Sequence, residues 1–225
     1  MKVIQLNLRC GLCNRLQTIF FHYTKIKKYK KLLIVWNIDK NNSHGNFYDF
    51  FAKINHLEFV KETKLKVNYK GNGSDLKVQN NNYKSLKLLP YMNDIIKNEK
   101  NKLNNNYIAI HVRRTDIINL YKKKNIKFIN NYDKYDKFIE SYPEKNLYIA
   151  TDNQESYNYF YHKYKDNRIL NTNIKFLKTK KKRKTSMKDT IIDLYMCINA
   201  NKFLGTELSS FTRFIYHNRK NIIKL

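Results

Sequence analysis

Hydrophobic and polar positions along this chain alternate between the period of a β-strand and that of an α-helix. Residues 3–8 are rich in apolar and β-branched side chains and predict a first strand. Leu16, Ile19, Phe20 and Tyr23 then recur at helical spacing and predict a first helix. Further strands are predicted at residues 32–36, 57–60 and 65–69, with polar loops at residues 37–46 and 70–83 and an aromatic patch at residues 47–51.

A polar and charged segment, residues 98–106, has little apolar content and is interpreted as a linker between two halves, with a long surface loop inside one domain as the alternative. After it the alternation begins again. Strands are predicted at residues 107–113, 147–150, 174–177 and 202–205, and helices at residues 135–142, 157–164, 187–198 and 209–217. We therefore predict an α/β protein with parallel sheets, divided into an N-terminal half at residues 1–100 and a C-terminal half at residues 101–225.

Four polar motifs follow predicted strands, and in parallel α/β sheets ligands bind at the carboxyl ends of the strands. This coincidence predicts a binding site. The motifs are residues 11–16 (Gly-Leu-Cys-Asn-Arg-Leu), residues 111–116 (His-Val-Arg-Arg-Thr-Asp), residues 151–153 (Thr-Asp-Asn) and residues 205–211 (Gly-Thr-Glu-Leu-Ser-Ser-Phe).

Arg113 and Arg114 lie at a strand end, where adjacent side chains point to opposite faces of the sheet. One guanidinium can therefore enter a cleft while the other pairs elsewhere. The planar fork of a guanidinium suits phosphate oxygens. The alternative is an ordinary strand end stabilised by salt bridges.

The other motifs each have a structural alternative as well. Asp152 could accept hydrogen bonds from a base or ribose, or Thr151 or Asp152 could cap a helix. Ser209 and Ser210 precede a helix, where backbone N–H groups bind anions, but they could also be simple N-caps. Gly11 permits a tight turn, after which Asn14 and Arg15 would face the cleft or merely begin a helix.

The 225-residue chain carries a formal charge of +27, and 42% of its residues are hydrophobic. That apolar content is enough for a buried core. Such a charge attracts polyanions, yet it is spread along the chain together with many Asn, Tyr and Ile residues. This mixture is typical of an AT-rich coding sequence, so the charge by itself identifies no ligand. The longest apolar runs are far shorter than a membrane span, and no signal-peptide pattern is present, so we expect a cytoplasmic protein.

The ordered set of motifs resembles the fucosyltransferase superfamily, which includes the α-1,2-, α-1,6- and protein O-fucosyltransferases and the bacterial nodulation fucosyltransferases. Residues 111–116 are similar to its main motif, and residues 11–16 to its N-terminal Gly-x-Gly-Asn-Arg motif, with Cys13 in place of the second glycine. Further similarity lies in Trp36 with residues 47–51, in residues 148–152, and in Asp193 with residues 209–211. Together the motifs cover nearly the whole chain.

The resemblance implies a GT-B fold of two Rossmann-like halves, with the donor bound mainly by the C-terminal half and the acceptor on the side of the N-terminal half. It implies an inverting, metal-independent transferase that needs no cofactor, with a GDP-sugar, expected to be GDP-fucose, as donor and a glycan or protein as acceptor. Arg113 would hold the β-phosphate. The nucleoside, the diphosphate and the cleft would be contacted by His111, Asp152, Asp193, Ser209, Ser210, Phe211, Gly11, Asn14 and Arg15.

A departing diphosphate gains negative charge, which a fixed guanidinium stabilises in the transition state. The usual alternative is a divalent metal held by an Asp-x-Asp pair, and no such pair occurs in the sequence. This favours a metal-free reaction. Asp116 is a candidate general base, although orienting Arg113 or Arg114 is an alternative role for it.

Three other interpretations remain open from the sequence. Cys10 and Cys13 form a C-x-x-C pair between a strand and a helix, as in thiol oxidoreductases. The charge suggests a nucleic-acid-binding protein, but the aromatic residues follow helix-core spacing rather than forming a stacking surface, so we expect no specific nucleic acid. The third interpretation is a transferase for another GDP-sugar, or an inactive protein with the same fold. The sequence does not indicate an oligomeric state.

Overall fold

Two compact units, Met1–Met92 and Asn93–Leu225, divide the chain, and each contains its own parallel β-sheet. The division predicted between residues 100 and 101 stays a prediction. The computed structural model describes residues 4–8, 11–23, 32–36, 45–60, 70–71, 83–114, 132–171, 176 and 185–222.

The first unit contains a parallel sheet in the order β3-β2-β1-β4 and a helix that follows β1, one of its two inner strands. Leu16, Ile19 and Phe20, on the apolar side of that helix, have no solvent exposure. This confirms the helix predicted from their spacing. The elements are β1 (Ile4–Leu8), α1 (Leu12–Tyr23), β2 (Leu32–Trp36), β3 (Leu57–Val60) and β4 (Lys70–Gly71).

An aromatic cluster packs at the carboxyl ends of β2 and β3. The ring of Phe47, in a short 3-10 helix, stacks on Phe59 with 4.6 Å between centroids and on Phe51 with 4.8 Å. The Trp36 ring packs edge-on against Phe47 and Phe59, and its Nε1 donates to the Gly45 carbonyl at 3.0 Å. The aromatic patch noted in the sequence is thus core packing.

Helix α2 (Pro90–Lys102) corrects the interpretation of residues 98–106 as a linker. The first half of that segment continues the helix, and only residues 103–106 form turns before the next strand. Met92, Ile96 and Leu103 are buried on one side, which outweighs the polar character of the other positions. Pro90 in the first helical position was the sequence feature that could have indicated this helix.

The second unit contains a parallel sheet in the order β6-β5-β7, so β5 is its central strand. The strands predicted at residues 107–113, 147–150 and 202–205 are confirmed with small changes in their bounds, and so are the four predicted helices. The elements are β5 (Tyr107–Val112), α3 (Asp133–Glu140), β6 (Asn146–Thr151), α4 (Gln154–Tyr164), α5 (Met187–Asn199), β7 (Lys202–Gly205) and α6 (Ser210–Ile222).

Helices cover both faces of this sheet, as predicted. On one face, Ile108 and Ile110 of β5 belong to an apolar cluster with Tyr135 of α3 and Phe160 of α4. Alternate β5 residues point to the other face. There α5 and α6 pack against the sheet, and the contacts include polar ones such as that between His111 and Thr212. The two faces are therefore different, one apolar and one partly polar.

Other predictions are corrected or lie outside the described residues. Lys70 and Gly71, predicted as part of a loop, pair with Gln5 and Leu6 as a short strand, because an open edge of a parallel sheet accepts backbone hydrogen bonds from any residue type. The strands predicted at residues 65–69 and 174–177 fall on segments not described, Phe176 apart. None of the described helices combines the length and the apolar character that a membrane crossing requires.

Candidate functional site

The three described strands of the second unit end side by side, and each is followed by a polar segment. Val112 is succeeded by Arg113 and Arg114, Thr151 by Asp152, and Gly205 by Thr206. Two of the strands lead directly into helices, so the N-termini of α4 and α6 lie at this edge of the sheet. The arrangement is that of an anion-binding edge in α/β proteins.

The two adjacent arginines are fixed through their backbone amides. Arg113 N–H donates to the Thr206 hydroxyl at 2.8 Å, and Arg114 N–H donates to the Asp152 carboxylate at 3.0 Å. The Arg114 guanidinium lies over the Tyr132 ring, 4.6 Å from its centroid, and 3.8 Å from Glu155. Arg114 is therefore directed towards α3 and α4, as expected for one of two neighbouring arginines. Strand alternation directs Arg113, which is partly exposed, to the other face.

A buried hydroxyl network joins the ends of β5 and β7. The Thr206 hydroxyl lies 3.0 Å from the His111 carbonyl oxygen and 2.9 Å from the Tyr135 hydroxyl. The Tyr135 hydroxyl also lies 3.3 Å from the His111 carbonyl oxygen, and Thr206 N–H donates to the same oxygen at 2.9 Å. The strand end from which Arg113 emerges is thus held by β7 and by α3.

The His111 side chain is neutral at ordinary pH. It is 7% exposed, and burial, with a smaller contribution from the Arg113 charge, lowers its pKa to about 3. Its Nδ1 lies 2.9 Å from the Thr212 hydroxyl, and its ring is 4.6 Å from the ring of Phe211. His111 is therefore packed against the first turns of α6, and its predicted contact with a nucleoside stays a prediction.

The turn before α6 has a strained backbone. Leu208 adopts a φ of 59°, a backbone conformation that residues other than glycine rarely adopt. The turn at Leu208 reverses the chain, and α6 begins at Ser210. The fully buried Ser209 hydroxyl accepts from Thr212 N–H at 3.5 Å, as an N-cap does. Ser210 and Phe211 are partly exposed, and contact of Ser209, Ser210 or Phe211 with a diphosphate stays a prediction.

Gly205 allows α6 to approach β7 closely. A Cβ atom at this position would lie 2.5 Å from both the Cγ2 and the Oγ1 of Thr212. The absence of a side chain on Gly205 therefore lets Thr212 reach His111.

The residue that caps the N-terminus of α4 is neither Thr151 nor Asp152, the two considered from the sequence. The Asn153 side chain accepts from Ser156 N–H at 2.7 Å, which makes Asn153 the N-cap in place of Thr151 or Asp152. Asp152 instead accepts from the Arg114 amide and, at 3.3 Å, from the Asn153 side-chain amide. Its predicted contact with a base or ribose stays a prediction.

Asp193 is partly buried within α5 and accepts a hydrogen bond from the Tyr148 hydroxyl at 2.8 Å. Burial raises the pKa of Asp193 to about 7, the Tyr148 hydrogen bond opposes this rise, and Asp189 adds to it. Burial and Asp193 raise the pKa of Tyr148 well above its usual range. The pair lies on the face of the sheet that also carries His111.

Three predicted site residues, Gly11, Asn14 and Arg15, belong to the first unit at the start of α1. Arg15 has no solvent exposure, and its guanidinium lies over the Trp36 ring, 4.6 Å from the centroid. The Asn14 Oδ1 atom is buried and accepts no hydrogen bond from any described residue. Their predicted place in a donor cleft stays a prediction.

Two residues named from the sequence, Asp116 and Cys10, lie outside the described residues. Asp116 as general base, or as a group orienting an arginine, is therefore still a hypothesis. Cys13, the second cysteine of the C-x-x-C pair, is 4% exposed within α1, a position that does not favour a reactive thiol.

Sequence reasoning missed the buried partners that hold the predicted residues in place. These are Thr206, Tyr135, Thr212 and Tyr148. Thr206 was visible as the first residue after a strand. The other three residues were assigned to helices or a strand from the spacing of apolar positions. That spacing gives no information on what a hydroxyl group contacts.

The family comparison agrees with these motifs. The model of the family "GDP-fucose protein O-fucosyltransferase" matches residues 7–222, which is almost the whole chain. The resemblance inferred from the sequence is thereby confirmed, as is the expectation of a fucosyltransferase-type enzyme. A search of curated protein sequences found no match.

Solved structures show the same fold at low sequence identity. The NodZ α-1,6-fucosyltransferase soaked with GDP-fucose matches with a TM-score of 0.55 and 10% identity, over 96% of this chain and 92% of that one. The same enzyme co-crystallised with GDP gives a TM-score of 0.56 and 11% identity, with the same coverage of both chains. Fucosyltransferase NodZ from Bradyrhizobium gives a TM-score of 0.54 and 11% identity, over 96% and 93% of the two chains. The predicted α/β, GT-B-like fold is confirmed.

Proposed function

Since this chain belongs to the GDP-fucose protein O-fucosyltransferase family, we propose that it transfers fucose from GDP-fucose to a hydroxyl group of a glycan or protein. The transfer proceeds with inversion at the anomeric carbon and without a metal ion. Two of the NodZ structures of the same fold were obtained with GDP-fucose and with GDP, which supports a guanosine diphosphate donor here.

The observation that supports this function best is the geometry around Arg113. Its backbone amide is held by Thr206 at 2.8 Å, at the carboxyl end of the central strand and beside the start of α6. A diphosphate at this edge would meet a guanidinium together with the N–H groups of a helix N-terminus. Both interact favourably with phosphate oxygens, and the backbone that carries the guanidinium is held in place without a donor.

In the proposed reaction the acceptor hydroxyl oxygen forms a bond to the anomeric carbon of fucose. The bond from that carbon to the β-phosphate oxygen breaks, GDP leaves with the electron pair, and the acceptor proton passes to a base or to water. Negative charge grows on the β-phosphate as the bond breaks, so Arg113 stabilises the transition state more than the ground state. A guanidinium in this position replaces the divalent metal that many glycosyltransferases use.

His111 contributes in its neutral form. Because its pKa is lowered to about 3, it adds no charge above pH 5 and serves as a hydrogen-bonding and stacking group. Its Nδ1 is occupied by Thr212, which leaves Nε2 for a ligand. Transfer should therefore show no ionisation of His111 between pH 5 and pH 9.

A thermal-shift panel tests the donor class. The protein is melted with GDP, GDP-fucose, GDP-mannose, UDP and UDP-glucose, each with and without EDTA. We expect GDP and GDP-fucose to raise the melting temperature, because a ligand at about 100 times its Kd adds roughly 2.7 kcal/mol to the stability. EDTA should change nothing. A response to UDP compounds alone, or to none of the five, would contradict the proposal.

The stereochemical course needs its own measurement. NMR of the fucosylated product, made with any acceptor that the protein accepts, gives the configuration at the anomeric carbon. We expect it to be opposite to that of the donor. A product with the donor's configuration would contradict the inverting mechanism while leaving the donor assignment intact.

A further inference from the structure

The Thr206 hydroxyl occupies all of its hydrogen-bonding capacity inside the protein. A hydroxyl has one donor and two acceptor positions. The Thr206 hydroxyl donates to the His111 carbonyl at 3.0 Å and accepts from the Arg113 amide at 2.8 Å. The Tyr135 hydroxyl, at 2.9 Å, fills the remaining acceptor position. Thr206 and Tyr135 are 5% and 4% exposed, so no water substitutes for these partners at the surface.

Sheet register explains why this hydroxyl is needed. Gly205, the last residue of β7, pairs with His111, and Thr206 N–H continues the ladder to the His111 carbonyl. The next ladder position on β5 is the amide of Arg113. Because β7 ends at Gly205, no backbone carbonyl of β7 accepts from Arg113 N–H. The side-chain oxygen of Thr206 accepts this hydrogen bond instead.

We propose that Thr206 is the positioning residue for Arg113, an inference that rests on the proposed function. Its hydroxyl extends the strand ladder by one hydrogen bond and so fixes the backbone from which the guanidinium reaches the diphosphate. Tyr135 supports it from α3 by filling the hydroxyl's second acceptor position. Thr206 touches no donor atom in this scheme and acts only through Arg113.

Thr206→Val and Thr206→Ser separate the hydroxyl from the shape of the side chain. Valine keeps the branched shape and removes the hydroxyl, whereas serine keeps the hydroxyl. We expect Thr206→Val to weaken GDP binding and to lower kcat/KM for GDP-fucose by about tenfold, the worth of one buried hydrogen bond. Thr206→Ser should stay within about twofold of the wild type. Calorimetric titration with GDP and initial rates give both quantities.

A double-mutant cycle shows whether the effect passes through the arginine. In an Arg113→Ala background, Thr206→Val should cause no further loss of GDP affinity, because no guanidinium remains to be positioned. A further tenfold loss in that background would overturn the proposal, since Thr206 would then act on the ligand by another route.

Tyrosine hydroxyls at the two ends of β5 provide a matched control. Tyr107 donates to the Met196 carbonyl at 2.9 Å and is as buried as Tyr135, but it lies ~20 Å from Arg113 along the strand. Tyr135→Phe should weaken GDP binding several-fold, whereas Tyr107→Phe should lower only the melting temperature. If Thr206→Val and Tyr135→Phe also lower the melting temperature with unchanged GDP affinity, the network has only a structural role and the proposal is overturned.

Hydrogen exchange at the Arg113 amide distinguishes failure of this inference from failure of the proposed function. If the wild-type protein neither binds GDP nor transfers fucose, the proposed function is wrong. The amide measurement still decides the positioning contact: we expect its protection to be lost in Thr206→Val and kept in Thr206→Ser. Unchanged protection in Thr206→Val would overturn the inference even if the wild type is a fucosyltransferase.

Discussion

The two ends of the β6-β5-β7 sheet both carry arginines but use them differently. At the amino end, α2, α3 and α5 finish just before the strands begin, so their terminal carbonyl groups gather there. At the carboxyl end, α4 and α6 start just after the strands finish, so N–H groups gather there. The helix dipoles therefore make one edge attractive to cations and the other to anions.

Arginines at the amino end are occupied by the protein's own backbone. Arg219 donates from its guanidinium to the carbonyls of Cys197, Ile198, Ala200 and Asn201, at 2.7–3.1 Å, around the end of α5. Arg168 donates to two carbonyls that follow α3. Arg219 thus caps the C-terminus of α5, and Arg168 holds the loop between α3 and β6.

At the carboxyl end, the backbone of Arg113 is held by Thr206, and its partly exposed side chain extends from the edge of the sheet at which α4 and α6 begin. The same residue type is structural where carbonyls are in excess and suited to anion binding where amides are in excess. The comparison teaches that the direction of the helices, more than the arginine itself, decides its role.

Arg113→Ala should give the largest effect. We expect a loss of turnover of about 10²–10³-fold, as when one group that stabilises transition-state charge is removed, with little change in the melting temperature. Initial rates with GDP-fucose and calorimetry measure the two. Arg114→Ala is the control and should cost at most several-fold, because Arg114 is stacked on Tyr132. Equal losses in both variants would contradict the assignment.

Arg219→Ala should show the opposite behaviour. Removal of a guanidinium that satisfies four carbonyls should lower the free energy of unfolding by about 2–3 kcal/mol, while folded molecules keep their GDP affinity. Urea unfolding and GDP titration below the melting transition give both values. If GDP affinity fell as far as in Arg113→Ala, the distinction between the two ends of the sheet would be lost.

Gly205→Ala should affect stability and binding together. The new methyl group would lie 2.5 Å from Thr212, and we expect a cost of about 1–3 kcal/mol from overpacking. GDP affinity should fall as well, since α6 is pushed away from His111 at the ligand end. Adding Thr212→Ala removes the two closest of the clashing atoms and leaves Phe203 Cζ at 2.9 Å, so it should recover part of the stability. Unchanged GDP affinity in the single variant would show that this contact does not shape the site.

Asp193→Asn should have the smallest effect, on the pH dependence of stability. The folded pKa of about 7 exceeds the unfolded value, so the folded state binds the additional proton and stability falls as pH rises from about 4 to 7. Because the carboxyl group is partly exposed, we expect a fall of about 1 kcal/mol. Asparagine still accepts from Tyr148 but cannot ionise, so the slope should vanish. A slope identical to that of the wild type would assign it to another group.

Much of the fold was predictable from short-range patterns. The spacing of Leu16, Ile19 and Phe20 gave α1, because a helix buries one face whatever the rest of the chain does. Motif positions gave the edge of the sheet, because parallel strands place all their carboxyl ends together. Helix α2 was missed because its polar positions outnumber its two buried apolar ones, Met92 and Ile96.

The sequence by itself determined the alternation of strands and helices, the family, and the residues that follow each strand. Only the tertiary structure decided which of them meet. Thr206 and Arg113 are 93 positions apart in the sequence, so no local pattern of residues contains both of them. Their hydrogen bond exists because β7 lies beside β5 and ends one ladder position early, and strand order and register are fixed by packing across the whole sheet rather than by local sequence.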